Sequence, residues 1–420
     1  MIQTIPLQPG VTLRCFPDNR FKQSCLTLQF LRPLCQEEAA MNALIPAILL
    51  RGCKSAPDLR AITLRLDDLY GASIGALVRK VGDYQTTGFA CGFISDHYTL
   101  EGDRLLDPMV DFIRQLLLEP VTEKGVFSQD FVESEKKNLI STIESQLNNK
   151  RSYAMAQMMA LMCKDDPFGT PRLGTVKTVE NIDAETLYRH YQKVLQESPV
   201  ELFYVGEEAP EKVAAALKPL FENMERNVHT LPQQTPFRGG SADTHEETMD
   251  VAQGKLVLGF TTPTTIRDEG FVAMQVFNTI FGSGMTSKLF MNIREKMSLC
   301  YDIGSGYHGS KGIIAVASGI DFDKDALVTE NIIKQLDACR QGDITEEELV
   351  AAKEALCTGL RSTHDSPGAI ENYYASGALS GLAMTPQQYM DKVCAVTVQD
   401  VAEAAKTLQL HTRYFLKGDA

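Results

Sequence analysis

The stretch FGSGMTSKLFMNIREKMSLCYDIG, residues 281–304, decides how the rest of the chain is interpreted. Gly282 and Gly284 predict a loop, because glycine permits backbone angles and close approaches that a side chain would block. Beyond the loop, an apolar residue recurs every four positions, which predicts a helix with one apolar face. The residues of that face are Met285, Leu289, Ile293 and Met297, with Phe290 beside them.

A strand is predicted directly after this helix, because apolar and other residues then alternate. The alternating apolar residues are Leu299, Tyr301 and Ile303. This arrangement places Arg294 near the end of the helix and Tyr301 on the adjoining strand. The same pattern also fits a plain loop, a surface arginine and a core tyrosine, so periodicity alone leaves both interpretations open.

The order of residues in this stretch resembles the C-terminal signature of the pitrilysin/insulinase-type zinc metallopeptidases, which include the mitochondrial processing peptidases. That signature is a glycine-rich turn, then Ser-x-Leu-Phe, then Arg-Glu-Lys-x-Gly-Leu-x-Tyr. The chain matches it with Gly282 and Gly284, with residues 287–290 and with residues 294–301. One position departs from it, because Ser298 stands where the family usually has glycine.

The resemblance implies roles for four residues. Arg294 and Tyr301 would contact a bound peptide near its scissile carbonyl, and Gly282 and Gly284 would shape the loop beside that peptide. It also implies an α+β fold of two homologous domains, each an antiparallel or mixed β-sheet packed with helices, arranged like the halves of a clamshell.

The zinc motif of the catalytic members is missing. They carry His-x-x-Glu-His on the first long helix, where two histidines bind zinc and the glutamate is the general base. Aligned by the downstream residues 49–53, these positions hold Ala43, Pro46 and Ala47, and the third ligand falls near Thr142. No two of the seven histidines could stand one helical turn apart. The sequence therefore predicts neither a metal nor another cofactor.

An internal repeat supports the two-domain interpretation. Residues 229–250 lack periodicity and are rich in proline, glycine and polar residues, which predicts a linker. The order of predicted helices and strands after it repeats the order before it. We therefore expect an N-terminal domain at 1–228, a linker at 229–250 and a C-terminal domain at 251–420 that carries the arginine and tyrosine.

Composition narrows the possible partners. The formal net charge of −13 over 420 residues argues against binding to nucleic acid or to an anionic membrane. No window approaches about 18 uninterrupted apolar residues, the length of a membrane-spanning helix. The N-terminus shows no basic region followed by an apolar run, and the ten cysteines include no CxxC pair. These features predict a cytoplasmic protein.

In the two-subunit branch of the family, one chain holds the zinc and a second, lacking the motif, keeps the arginine and tyrosine. The resemblance therefore implies a non-catalytic subunit of a heterodimer, with a zinc-bearing homologue and a peptide or protein substrate as partners. A bacterial subgroup of this kind is associated by name with elongation factor P modification. Two alternatives remain open, a structural scaffold and a peptide-binding protein without a proteolytic role.

Overall fold

A computed structural model describes residues 2–222, 224–240 and 242–418 of the chain. Its strands are β1 Gln3–Gln8, β2 Val11–Pro17, β3 Gln23–Pro33, β4 Ser73–Val81, β5 Tyr84–Ile94, β6 Thr122–Glu123, β7 Val126–Phe127, β8 Val200–Gly206, β9 Asp243–Thr248, β10 Gly254–Thr261, β11 Asp302–His308, β12 Ile313–Ile320 and β13 Gln409–Lys417.

The α-helices lie between these strands along the chain, singly or in consecutive groups. They are α1 Gln36–Leu49, α2 Leu59–Asp68, α3 Leu106–Leu118, α4 Gln129–Ser145, α5 Lys150–Met162, α6 Val176–Glu180, α7 Ala184–Glu197, α8 Pro210–Leu217, α9 Phe271–Asn278, α10 Asp325–Arg340, α11 Glu346–Ser362, α12 Pro367–Ser380, α13 Pro386–Ala395 and α14 Val398–Lys406. Two π-helices, Thr279–Ser283 and Leu289–Lys296, follow α9.

Each of two compact units is built on one large sheet. The first sheet has the order β1-β2-β8-β3-β5-β4, and the second has the order β11-β12-β10-β13-β9. Each sheet has one parallel pair, β2 with β8 and β9 with β13, and its other pairs are antiparallel. Read from the parallel pair, β2-β8-β3-β5-β4 corresponds strand by strand to β9-β13-β10-β12-β11. The predicted fold, two homologous α+β domains with helix-covered mixed sheets, is confirmed.

The central strands are apolar because both faces of each sheet are covered. All eight residues of β12 are buried, as are most of those of β3. In the first unit the helix α3 buries one face with an apolar residue at every third or fourth position, which is the pattern of an amphipathic helix. Its buried residues are Leu106, Met109, Val110, Phe112, Ile113, Leu116 and Leu117.

Two segments of the chain lie in the unit built mainly by the other half of the sequence. The first unit comprises residues 1–144, 170–233 and 364–376, and the second comprises 145–169, 234–363 and 377–420. Helix α5 thus completes the second unit, and most of α12 completes the first. The domain boundaries expected from the sequence, 1–228 and 251–420, remain a prediction about the duplicated halves, and the compact units differ from them in these segments.

A buried carboxylate lies on the part of α12 that belongs to the first unit. Glu371 is 1% exposed and accepts hydrogen bonds from Thr27 (2.9 Å) and Gln29 (3.0 Å), both on β3. Arg79 on β4 donates two more, at 2.9 and 2.7 Å. Since an unpaired buried carboxylate is costly, these four bonds fix the helix on the first sheet.

The expected linker also contains regular structure. Residues 243–248 within it form β9, an edge strand of the second sheet that pairs in parallel with β13. The strand reads DTHEET and is mostly exposed, so it carries no apolar alternation that would mark it in the sequence. Within the described ranges, no helix is both long and apolar enough to cross a membrane, and none of the ten cysteines forms a disulfide.

Candidate functional site

Arg294 and Tyr301 lie side by side in the second unit. The helix that carries Arg294 is wound with hydrogen bonds of the i to i−5 type, as in the 3.2 Å bond that the Met297 N–H donates to the Asn292 carbonyl. Ser298 then takes a φ of 50°, in the left-handed region, and the chain reverses. This reversal lets Arg294 Nε donate a 2.9 Å hydrogen bond to the carbonyl of Tyr301.

The guanidinium of Arg294 is also held from two other directions. It lies over the ring of Phe290, with 4.7 Å between its central carbon and the ring centroid, and it forms an ion pair with Glu295. Its side chain nevertheless remains 37% exposed. Stacking and hydrogen bonding therefore orient the group while leaving donors open to a ligand.

The Tyr301 hydroxyl is directed at a carboxylate. It donates a 2.9 Å hydrogen bond to Asp321 Oδ1, and Lys324 Nζ lies 2.6 Å from the other oxygen of Asp321. The bond to Asp321 raises the pKa of Tyr301, and Lys324 and Tyr301 together lower the pKa of Asp321. Tyr301 is 61% exposed and lines, with Arg294, an open pocket of about 430 Å³.

The two glycines of the predicted turn differ in what the fold requires of them. A Cβ on Gly282 would lie 2.6 Å from Ser305 Oγ and 2.7 Å from Leu289 Cδ1, so only glycine fits there without rearrangement. A Cβ on Gly284 would meet no atom within 4 Å. Close packing thus explains why residue 282 is glycine, and no contact in the structure explains the glycine at 284.

The predicted apolar face of four residues is wrong at both of its ends. Leu289 and Ile293 are buried, but Met285 is 77% and Met297 45% exposed. Met285 lies in the turn before the helix, and the wider π-winding moves Met297 off the face that a period of 3.6 residues assigns to it. The exposed methionines therefore contribute an apolar surface beside the site.

A second pocket, of about 680 Å³, borders β11 close to this site. On one side it is lined by Arg151 and Met155 of α5, and on the other by the turn 282–285 and Phe290. Arg151 forms an ion pair with Asp302, the first residue of β11. None of these α5 residues was predicted, since their positions in the sequence give no sign of the strand that they approach.

The four positions expected to have lost the zinc site lie on α1 and α4. Ala43 and Pro46 are buried, Ala47 is half-buried, and Thr142 is exposed with its hydroxyl donating to the carbonyl of Asn138 at 2.8 Å. Two methyl groups and a proline ring offer no lone pair to a metal, so these residues do not fit zinc. In the part of the chain that the structure describes, no three His, Cys, Asp or Glu side chains could hold a metal ion together.

A buried polar network that was not predicted adjoins Ala43. Asn42 is fully buried and donates to Gln85 Oε1 at 2.8 Å, while its own Oδ1 lies 2.8 Å from His190 Nε2. Because the Asn42 oxygen can only accept, His190 donates through Nε2. Burial lowers the pKa of His190 to about 4, so it is neutral at pH 7. The network therefore satisfies polar groups inside the first unit.

Comparison with known proteins now identifies the family. Residues 181–356 match the family model described as Peptidase M16 inactive domain. Over 409 residues, 97% of this chain and 96% of the relative, the chain is 30% identical to the probable inactive metalloprotease YmfF of Bacillus subtilis strain 168.

Solved structures agree with this result. The fold is similar to that of a conserved protein from Enterococcus faecalis V583, with a TM-score of 0.92, 28% identity and coverage of 100% of this chain and 99% of that one. It is also similar to a peptidase M16 inactive domain from Pseudomonas fluorescens, with a TM-score of 0.82, 17% identity and coverage of 100% and 98%. The chain therefore belongs to the M16, or pitrilysin/insulinase-type, peptidase family, as a member whose zinc motif is replaced.

Proposed function

We propose that this chain is the non-catalytic subunit of a two-subunit, cytoplasmic metallopeptidase-like complex. In this proposal a homologous subunit supplies the zinc, and this chain supplies Arg294 and Tyr301 to the bound peptide. The observation that carries the proposal is that both side chains are exposed in one open pocket, although the zinc positions of the same chain hold Ala43, Pro46 and Ala47.

The chemistry of the pair fits this role. A guanidinium and a phenol both donate hydrogen bonds, and such donors stabilise the negative charge that develops on a carbonyl oxygen during peptide hydrolysis. The ring of Phe290 and the carbonyl of Tyr301 hold Arg294 in place before any peptide arrives. Orientation in advance lowers the entropy that the transition state would otherwise lose.

The test is the substitution Arg294→Ala in the complex reconstituted with the zinc-bearing homologue of the same organism. Loss of one transition-state donor costs about 2–4 kcal/mol, so the cleavage rate should fall on the order of a hundredfold or more while assembly is unchanged. Tyr301→Phe removes only the hydroxyl and should also slow cleavage. Arg361→Ala, on an exposed position of α11, is the matched control and should leave the rate unchanged.

A structural scaffold is the second candidate, and one observation favours it. Arg294 bonds to the main chain of Tyr301, and the Tyr301 hydroxyl bonds to Asp321, so both groups already have partners within the fold. If the complex assembles and both variants cleave at the wild-type rate, these residues are structural and the scaffold is the better description. Failure to form any complex with the homologue would reject the two-subunit proposal itself.

The proposal extends to the modification of elongation factor P, with which the bacterial zinc-lacking subgroup is associated by name. A strain without this chain should then accumulate elongation factor P with an altered mass. Intact-protein mass spectrometry of elongation factor P from the deletion strain and its complemented parent checks this. Identical masses in the two strains would remove the link.

A further inference from the structure

Two cysteines of the second unit bring their thiols together on neighbouring helices. Cys357 lies on α11, and Cys394 lies in the last turn of α13. Lys353 stands one helical turn before Cys357 on the same face of α11, and its Nζ donates a 2.9 Å hydrogen bond to the carbonyl of Cys394. That bond holds Cys394 against this face of α11, where its thiol interacts with the thiol of Cys357.

The two thiols differ in their exposure. Cys394 is exposed, whereas Cys357 is only 4% exposed. Burial raises the pKa of the Cys357 thiol, and the neighbouring Cys394 raises it further. A thiol with a raised pKa is a poor first target for an oxidant, because the thiolate is the reactive form. An oxidant in solution therefore reaches Cys394 first, and it finds Cys357 already beside that residue.

The chain between these cysteines passes through the other unit. Residues 364–376 belong to the first unit, although the residues on both sides of them belong to the second. This segment carries Glu371, whose hydrogen bonds fix α12 on the first sheet. Cys357 precedes the segment and Cys394 follows it. A bond between the two sulfurs would therefore close a covalent loop that contains the whole segment.

We propose that Cys357 and Cys394 form a site of reversible oxidation, at which a hydroperoxide converts the two thiols into a disulfide between α11 and α13. In the first step the Cys394 sulfur attacks the peroxide, so that an S–O bond forms and the O–O bond breaks. The thiol proton passes to the leaving oxygen, which departs as water or as an alcohol, and a sulfenic acid remains at Cys394.

The second step uses the buried thiol. The Cys357 sulfur attacks the sulfur of the sulfenic acid, so that the S–S bond forms and the S–O bond breaks. The proton of the Cys357 thiol leaves with the hydroxyl group as water. The two thiols have then given two electrons to the hydroperoxide, and a reducing dithiol returns them by thiol–disulfide exchange.

This site suits a protein of a reducing compartment. Disulfides of intracellular proteins are usually transient and respond to the redox state of the cell. The pair would be reduced under ordinary conditions and oxidised when the concentration of hydroperoxide rises. The inference is independent of the proposed function, because neither cysteine lines the pocket of Arg294 and Tyr301.

Cys25 and Cys91 provide a contrast within the same chain. They lie on the adjacent strands β3 and β5, where Cys25 is opposite Gly92 and Cys91 is opposite Leu26. Residues directly opposite each other share a face of the sheet, and successive residues of a strand point to opposite faces. The side chains of Cys25 and Cys91 therefore point away from each other, and a disulfide between them would require the backbone to move.

The test treats the reduced full chain with hydrogen peroxide, blocks the remaining thiols with N-ethylmaleimide and analyses a non-reduced tryptic digest by mass spectrometry. The two cysteines lie in tryptic peptides 354–361 and 393–406. We expect a disulfide that links these two peptides to be the main product and to disappear after treatment with dithiothreitol. Because the closed loop restricts the unfolded chain, the unfolding transition of the oxidised chain should rise by roughly 5–15 °C.

Three variants separate the two steps. Cys394→Ser should give no linked peptide, and peroxide should not change its transition temperature. Cys357→Ser removes the second thiol, so the sulfenic acid at Cys394 should accumulate and react with dimedone about tenfold more than in the unaltered chain. Cys35→Ser is the matched control, because Cys35 is also partly accessible but lies in the first unit. It should form the linked peptide as the unaltered chain does.

Three results would overturn the inference. The first is oxidation of Cys394 to a sulfinic acid without any linked peptide. The second is an equal yield of a disulfide between Cys25 and Cys91. The third is equal dimedone labelling of Cys394 in the unaltered chain and in Cys357→Ser. A linked peptide without any rise in the transition temperature would support the oxidation site and reject only its stabilising effect.

Discussion

Replacing Ser298 by glycine should stabilise the chain. Ser298 has a φ of 50° at the reversal between Arg294 and Tyr301, and its side chain is exposed. A residue with a Cβ in this conformation costs about 1–2 kcal/mol in the folded state. Glycine avoids that cost but loses about 0.5–1 kcal/mol more conformational entropy on folding. The balance predicts a net gain of about 0.5–1 kcal/mol for Ser298→Gly.

Differential scanning calorimetry of the whole chain measures this gain. For a unit of about 200 residues, 1 kcal/mol corresponds to roughly 2–4 °C, so the transition should move up by about 1–4 °C. Ser298→Ala keeps the Cβ and should give no increase. Lys124→Gly is the matched comparison, because Lys124 is also exposed, has a φ of 52° and is far from Ser298 in the sequence. An increase for Lys124→Gly with none for Ser298→Gly would refute the reasoning about Ser298.

Three further outcomes are expected. Gly282→Ala should destabilise the chain by about 1–3 kcal/mol in urea denaturation because its methyl group overlaps Ser305, whereas Gly284→Ala should be nearly neutral. The pKa of His190 is lower in the folded chain than in the unfolded chain, so its contribution to stability is complete above about pH 6.5 and is lost as the pH falls toward 4. Between pH 7 and pH 5, the free energy of unfolding should therefore fall by about 2 kcal/mol more in the unaltered chain than in His190→Gln. Metal analysis of the purified chain should find no stoichiometric zinc, because residues 43–47 offer no ligand, and one tightly held zinc per chain would contradict this.

Much of the duplicated fold could be predicted because its central strands are apolar and its helices amphipathic. The edge strands β1 and β9 could not, since they are exposed and polar and pair through their main chains. The π-winding around the glycine turn was also missed, because every helical prediction assumes a period of 3.6 residues. The assignment of α5 and α12 to units depends on tertiary packing, which an apolar face does not specify.

The candidate site, too, could be predicted only in part from the sequence. The loss of the zinc ligands is a matter of residue identity, so the sequence alone revealed it at Ala43 and Ala47. Arg294 and Tyr301 were found through the family resemblance, and their roles remain predictions. Asp321 lies twenty residues beyond Tyr301 in no recognisable motif, and only the pairing of β11 with β12 brings the two together.

Segment 364–376 belongs to the first unit but lies late in the sequence, and this sets an order of events during synthesis of the chain. The rest of the first unit is complete in sequence at residue 233, but its last segment emerges from the ribosome more than a hundred residues later. At about 5–20 residues per second, this delay is roughly 7–26 s. During that time Thr27, Gln29 and Arg79 lack the carboxylate of Glu371. The N-terminal half must therefore persist as a partly finished intermediate until the C-terminal half is nearly made.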